Sequence, residues 1–426
     1  MGAPRPARRK LVLHLDLNNT LAALDSATGQ GPGAALNGFL CGAAWGAPGP
    51  AGEWQWLSDS PSLLPPCPGA VNFYSQYGRD AAFTDTAVGR PFRSLHTHHL
   101  QLLEWQGQPH KVFSVQGERA KHYHLILPSF FHLLESLHRE GRHFAVVFRT
   151  FGTDLPRILH AVHCALEGQH PQFPALRDLT LPVELTAGRI RCSRREVVLS
   201  RGPERVSTRD DGRKLYSYFS SLQGLGGFQD HFDWWARNQF SSRGGKPLWI
   251  DPHDSSVHHI CIDDNIRLND SDTIICPQVF SGRGGSCTRP APTSELYDVC
   301  LVQTNLLEAI ADESYFLRCV RRCVLLSWRQ DAPDTLPKCK CLPAVLQEET
   351  ASSHAQAQQH FLHSWWSLGF WILPLEMPGW AGLLRVIGVV STLAQRRSLP
   401  HSYVCALAVL QYKELSSSSA VFSFLR

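Results

Sequence analysis

Net charge is nearly absent from this chain: 41 lysines and arginines stand against 37 aspartates and glutamates, leaving +4 over 426 residues. So balanced a composition withholds the basic field that draws a protein to nucleic acid, and no nucleic-acid partner is expected. A phosphate-cradling glycine loop is missing too. GRGGSC at 282–287 lacks the Lys-Ser/Thr ending, no dinucleotide fingerprint occurs, and no internal repeat is evident. The apolar stretch 365–390 approaches membrane-spanning length but contains Pro374, Glu376, Pro378 and Arg385. A charge at the bilayer centre costs about 2.5–3.5 kcal/mol, so no membrane span is expected. After MGAPRPARRK the apolar run is cut at Asp16, too early for a secretory leader, and Pro6 stands where myristoylation needs Ser or Thr. Thirteen cysteines at irregular spacing do not make a secreted disulfide framework. They read as reduced, buried residues of a cytoplasmic protein.

What the chain has is apolar content, 43% of residues, enough for a sizeable core. LVLHL at 11–15 is a short continuous apolar run, as expected of a strand covered on both faces. Residues 21–70, rich in Gly, Ala and Pro, read as loops rather than regular elements. VNFYSQY, KVFSVQ and YHLILP between 71 and 128 read as strands of a small added module. Ser129 is placed to cap a helix whose 3.6-residue periodicity runs through FFHLLESLHREG to Gly141, and HFAVVF follows as a buried strand. Helix, glycine and buried strand make half of a parallel α/β unit. A further helix is expected over 153–166, and helical segments at YSYFSSL and FDWWARNQF. PLWID, HHICID and TIICPQVF read as strands, and VCLVQTNLLEAIADESYFLRCVRRCV as a strand entering a closing helix. The fold expected is a three-layer, Rossmann-like α/β domain with a mainly parallel sheet over 8–325. It carries cap-like insertions at about 21–128 and 151–245, and 326–426 form an irregular or unrelated tail.

Acidic and hydroxyl residues gather at the ends of these strands. Asp16-Leu17-Asn18-Asn19-Thr20 follows LVLHL, and a carboxylate there sits where open α/β sheets bind ligands. Thr150 ends HFAVVFRT. Asp263 and Asp264 end HHICI, and two adjacent carboxylates repel unless a cation intervenes, which points to a hard metal such as Mg²⁺. Lys246 or Lys214 supplies a positive charge upstream of that pair, and Lys246 is preferred because it lies just ahead of a strand.

LHLDLNNT, VVFRT, the lysine of GGKPLWID and ICIDDN, in this order, resemble the haloacid dehalogenase-like (HAD) superfamily of phosphohydrolases and phosphotransferases. The resemblance covers roughly 10–325. It implies that Asp16 is a nucleophile accepting a phosphoryl group, and that Thr150 and Lys246 hold the phosphoryl oxygens. It implies Mg²⁺ bound by Asp16, the Asn18 carbonyl, and Asp263 or Asp264. The substrate class implied is a phosphorylated small molecule, a phosphate monoester. The family places an Asp two residues after the nucleophile as general acid/base. Asn18 stands there and cannot shuttle a proton at neutral pH. A slow phosphatase, an enzyme with its proton donor elsewhere, and a catalytically inactive phosphate-binding or protein-interaction module all remain open. The arginines from Arg189 to Arg213 read as a solvated face or as an anion site. His96, His98 and His99, with His122 and His124, lack a convergent carboxylate or Cys partner for a metal. Cys319, Cys323, Cys339 and Cys341 have no usual zinc spacing.

Overall fold

The computed structural model describes residues 8–49 and 53–331. Its organising element is an eight-stranded sheet. From edge to edge the strands are Glu204–Ser207, Val197–Arg201, Gly188–Cys192, Gly224–Gln229, Phe144–Thr150, Lys10–Leu15, Val257–Asp263 and Leu301–Gln303. All pairings from Gly188–Cys192 to Leu301–Gln303 are parallel, and the two remaining edge pairings are antiparallel. The chain is therefore α/β with a large, mostly parallel sheet.

Lys10–Leu15 is buried along its whole length and pairs on both sides, Leu11 facing Phe144 in one neighbour and His258 in the other. Alternate side chains leave opposite faces of a strand. Accordingly Leu11, Leu13 and Leu15 join one core cluster and Val12 another. The first cluster is completed by three helices. Pro128–Arg139 contributes Phe130 and Leu134, Leu155–Leu166 contributes Ile158 and Leu159, and Tyr315–Asp331 contributes Phe316 and Val320. The second is completed by Leu215 and Phe219 of the helix Arg213–Ser221, packed with Val12, Val147 and Phe228.

Several local expectations are corrected. Residues 21–70 are not loops throughout: Pro32–Ala43 is a helix with Pro at its start, burying Leu36, Leu40 and Cys41. Burial of this stripe outweighs the poor helix propensity of its interior glycines, and Pro costs nothing in a first turn. VNFYSQY is strand only at Val71–Asn72, after which Asn72 caps the short helix Phe73–Tyr77 by accepting from the Ser75 amide. Ser129 is not a cap. It lies inside a helix opened by Pro128, and its hydroxyl donates to the Ala309 carbonyl at 2.7 Å. Residues 151–245 are not one inserted cap. Gly224–Gln229 sits in the middle of the main sheet, and Gly188–Cys192, Val197–Arg201 and Glu204–Ser207 widen it. The closing helix Tyr315–Asp331 runs past the boundary drawn at 325. The rest of the expected tail lies outside the described residues.

Gly224–Gln229 is the strand least able to carry side chains. A Cβ on Gly227 would lie 2.4 Å from Leu155 Cδ1 and 3.0 Å from Phe148 Cβ. Gly227→Val is expected to destabilise the fold by about 1–3 kcal/mol, the usual cost of overpacking. Urea unfolding of the full chain reads this directly, and an unchanged midpoint would refute the close approach.

Candidate active site

The parallel strands present their carboxyl ends along one edge, which brings residues far apart in sequence together. Asp16 directly follows its strand, its amide bonded to the Ile262 carbonyl at 3.0 Å, while Thr150 and Asp263 are the last residues of theirs. Lys246 opens a strand of a second, three-stranded sheet and enters from the side. Its ammonium donates to Asp16 Oδ1 at 2.6 Å, Asp263 Oδ2 at 2.7 Å and the Arg149 carbonyl at 2.9 Å, and the side chain is 1% exposed. Lys214 is elsewhere, on the surface, paired with Asp210 at 3.3 Å. Of these two lysines, Lys246 is the one beside the aspartates.

Carboxylate oxygens of Asp16, Asp263 and Asp264 lie within 4.8 Å of one another. Three carboxylates around one ammonium leave an excess of negative charge in a desolvated place. Burial pushes the Asp16 carboxyl well above its ordinary range, with Lys246 opposing and Asp263 and Asp264 reinforcing the shift. Burial also disfavours charge on Lys246, but Asp16 and Asp263 outweigh it and hold the ammonium protonated. Asp264 is pushed up to about 7 by burial and then by the charge of Asp263, with Arg79 pulling the other way. Carboxylates alone, without nitrogen or sulfur donors, fit a hard divalent cation, which would balance this excess.

Asn18 and Thr150 form a separate clamp beside these charges. Thr150 donates its hydroxyl to Asn18 Oδ1 at 3.0 Å and accepts from the Gly152 amide at 2.9 Å. The Asn18 amide nitrogen donates to Asp154 Oδ2 at 2.8 Å and to the Leu24 carbonyl at 3.0 Å, and Ser26 N donates to the same Asp154 oxygen. Every polar atom of the Asn18 side chain is therefore held. Below the site, Arg149 forms a buried two-bond pair with Asp230, at 2.8 and 2.7 Å. Thr20 orients the acidic turn by accepting from the Asp264 amide at 3.0 Å.

Asn19 is the opposite of Asn18. It is in the left-handed backbone region at φ 62°, and its buried Oδ1 has no hydrogen-bond partner. Such an orphan costs about 1–3 kcal/mol. It borders a cavity that runs from Asp264 and Asn265 to the helix Pro32–Ala43.

Asp154, Arg149, Asp230 and Thr20 were not among the residues expected from the sequence. Asp154 reads as a helix-entry acid, and nothing in GTDLP marks it as the partner of Asn18. The arginine segment divides into separate roles: Arg213 pairs with Asp251 at 2.6 Å, Arg209 with Glu196 at 2.6 Å, and Arg201 lies over the Phe228 ring. Among the described residues the three aspartates are the one group able to hold a metal, so the histidines of HTHH form no such site. Cys319 and Cys323 are buried free thiols, while Cys339 and Cys341 lie outside the described residues, as does the apolar stretch 365–390. No helix among the described residues is long and apolar enough to cross a membrane. No protein-family model, curated protein or solved structure matches the chain.

Asp264, raised from 3.8 to about 7, keeps in the fold a proton that it releases on unfolding. The stability this proton confers is complete below about pH 4 and is lost as pH rises through about 7. Without divalent cations, the melting temperature is therefore expected to fall between about pH 4 and 7, and Asp264→Asn to flatten the profile. A wild-type profile as flat as the variant's would show that Asp264 ionises normally.

Proposed function

We propose that the chain is a divergent HAD-like protein of three-layer, Rossmann-like build, a Mg²⁺-dependent hydrolase of phosphate monoesters acting in the cytoplasm. The observation that carries this reading is the convergence of Asp16, Thr150, Lys246, Asp263 and Asp264 at one sheet edge. Four separate segments supply them.

Asp16 Oδ1 is held by Lys246, which leaves Oδ2 to attack phosphorus in line with the ester oxygen. The P–O bond to the leaving alcohol breaks as the bond to Asp16 forms, and the departing oxygen takes up a proton from solvent water. Water then attacks the phosphorus of the aspartyl-phosphate and gives a proton to solvent; the P–O bond to Asp16 breaks, and inorganic phosphate leaves as the Asp16 carboxylate is restored. Lys246 faces the negative charge of both steps. Thr150 reaches a phosphoryl oxygen by turning its hydroxyl away from Asn18. Asp16, Asp263, Asp264 and the Asn18 carbonyl would hold Mg²⁺, whose charge offsets the repulsion between phosphate and carboxylates.

Asn18 bears on the speed of this chemistry. Its amide is clamped by Thr150, Asp154 and Leu24 and carries no exchangeable acid. The same clamp favours a second reading, a pocket that binds a phosphorylated ligand and turns it over slowly or not at all.

Mg²⁺-dependent phosphate release by the full chain over a panel of phosphomonoesters is expected, and Asp16→Asn should abolish it. Unchanged release in that variant would remove Asp16 from the chemistry. Asn18→Asp alone would set two carboxylates at the 2.8 Å now spanned by the Asn18–Asp154 hydrogen bond. Exchanging the pair, Asn18→Asp with Asp154→Asn, keeps that bond while losing those to Leu24 and Ser26, and supplies an acid. The exchange should raise kcat by about 10²–10⁴-fold, the usual contribution of general acid–base help. An exchange variant no faster than the wild type would place the limitation elsewhere.

A further inference from the structure

We propose that the cavity beside Asp264 is the seat of the leaving group, and that it selects an alcohol carrying both a free hydroxyl and a second anionic group. This deepens the hydrolase reading and rests on it. Four observations converge. The cavity touches Asp264 and Asn265 at the sheet edge, so a molecule in it is contiguous with the acidic cluster. Arg79, at its mouth, forms no ion pair among the described residues, whereas Arg93, Arg209, Arg213 and Arg267 each hold a carboxylate. Asn19 lines the cavity, and its Oδ1, shielded from solvent and without a partner, becomes an acceptor for a ligand hydroxyl once the side chain turns towards the cavity.

The fourth observation is the roof. The helix Pro32–Ala43 turns Ala35, Gly38 and Gly42 towards the cavity, and a Cβ on Gly42 would meet nothing within 4 Å. Interior glycines weaken a helix. Here they leave room that side chains would fill. Arg79 supplies charge, Asn19 an acceptor, and the glycines space; together they fit a small hydroxylated acid or a second phosphate.

The test compares three matched esters, glycerol phosphate, phosphoglycerate and glycerol bisphosphate, with inorganic phosphate as a probe of the acidic cluster alone. Calorimetric affinities for the full-length Asp16→Asn protein with Mg²⁺ should be about tenfold or more tighter for the two anionic esters than for glycerol phosphate, as one charge-assisted contact predicts. Arg79→Gln should erase that preference, weakening the two anionic esters about tenfold more than glycerol phosphate. The stronger of the two anionic ligands identifies carboxylate or phosphate as the group taken. Gly42→Leu should weaken all three esters and spare inorganic phosphate. Melting curves establish that the variants fold, and Arg79, being exposed, tolerates replacement. Equal affinity for the three esters, or an Arg79→Gln loss shared equally by all, overturns the assignment. Intact discrimination with no phosphate release by the wild type would overturn the hydrolase reading and leave the pocket standing as a binding site.

Discussion

The contact between Lys246 and the carboxylates of Asp16 and Asp263 is the interaction on which the rest of the site depends. An ammonium taken out of water is tolerable only when its partners are close, and here three acceptors lie within 2.9 Å. The reverse holds for the acids. Removing the lysine would leave desolvated like charges facing one another, a kind of loss that typically costs about 3–5 kcal/mol. One contact thus ties the small lateral sheet to the main one and keeps the Asp16 carboxylate oriented. The charge it leaves unbalanced makes the cluster receptive to a divalent cation.

Beside this charged centre, Asn18 and Asn19 divide two tasks that a single loop must perform. Asn18 is saturated with hydrogen bonds and ties its own loop to the segment from Thr150 to Asp154, so its position is fixed. Asn19 sits in the left-handed backbone region with an unsatisfied Oδ1, and borders the cavity. Local violations of satisfaction rules are expected where a ligand completes them.

Much of this was legible in the sequence where one physical cause dominated. The continuous apolar runs LVLHL and HFAVVF could be stable only as doubly covered strands, and both are. Asp16, Thr150, Asp263 and Asp264 could be placed together because parallel strands end on a common edge. Lys246 could be preferred over Lys214 by its nearness to a strand. What could not be read depends on tertiary neighbours. The helix Pro32–Ala43 is hidden by its glycines and stabilised by what it buries. Gly224–Gln229, with three glycines, lacks the β-branched signature of a core strand and owes its place to the close approach of Leu155 and Phe148. Asp154 meets Asn18 across 136 residues, a pairing that no local pattern announces.

The central position of Lys10–Leu15 has a consequence for how the molecule is made. Its neighbours begin at Phe144 and Val257, and the Asp16–Lys246 contact spans 230 residues. During synthesis this strand leaves the ribosome long before either neighbour and is fully paired only after Val257–Asp263 has followed. Contacts of such long sequence separation are slow to form, and unpaired apolar strands invite aggregation meanwhile. Until its distant neighbours arrive, the nascent chain carries this apolar segment unpaired, the kinetic counterpart of a centrally built site.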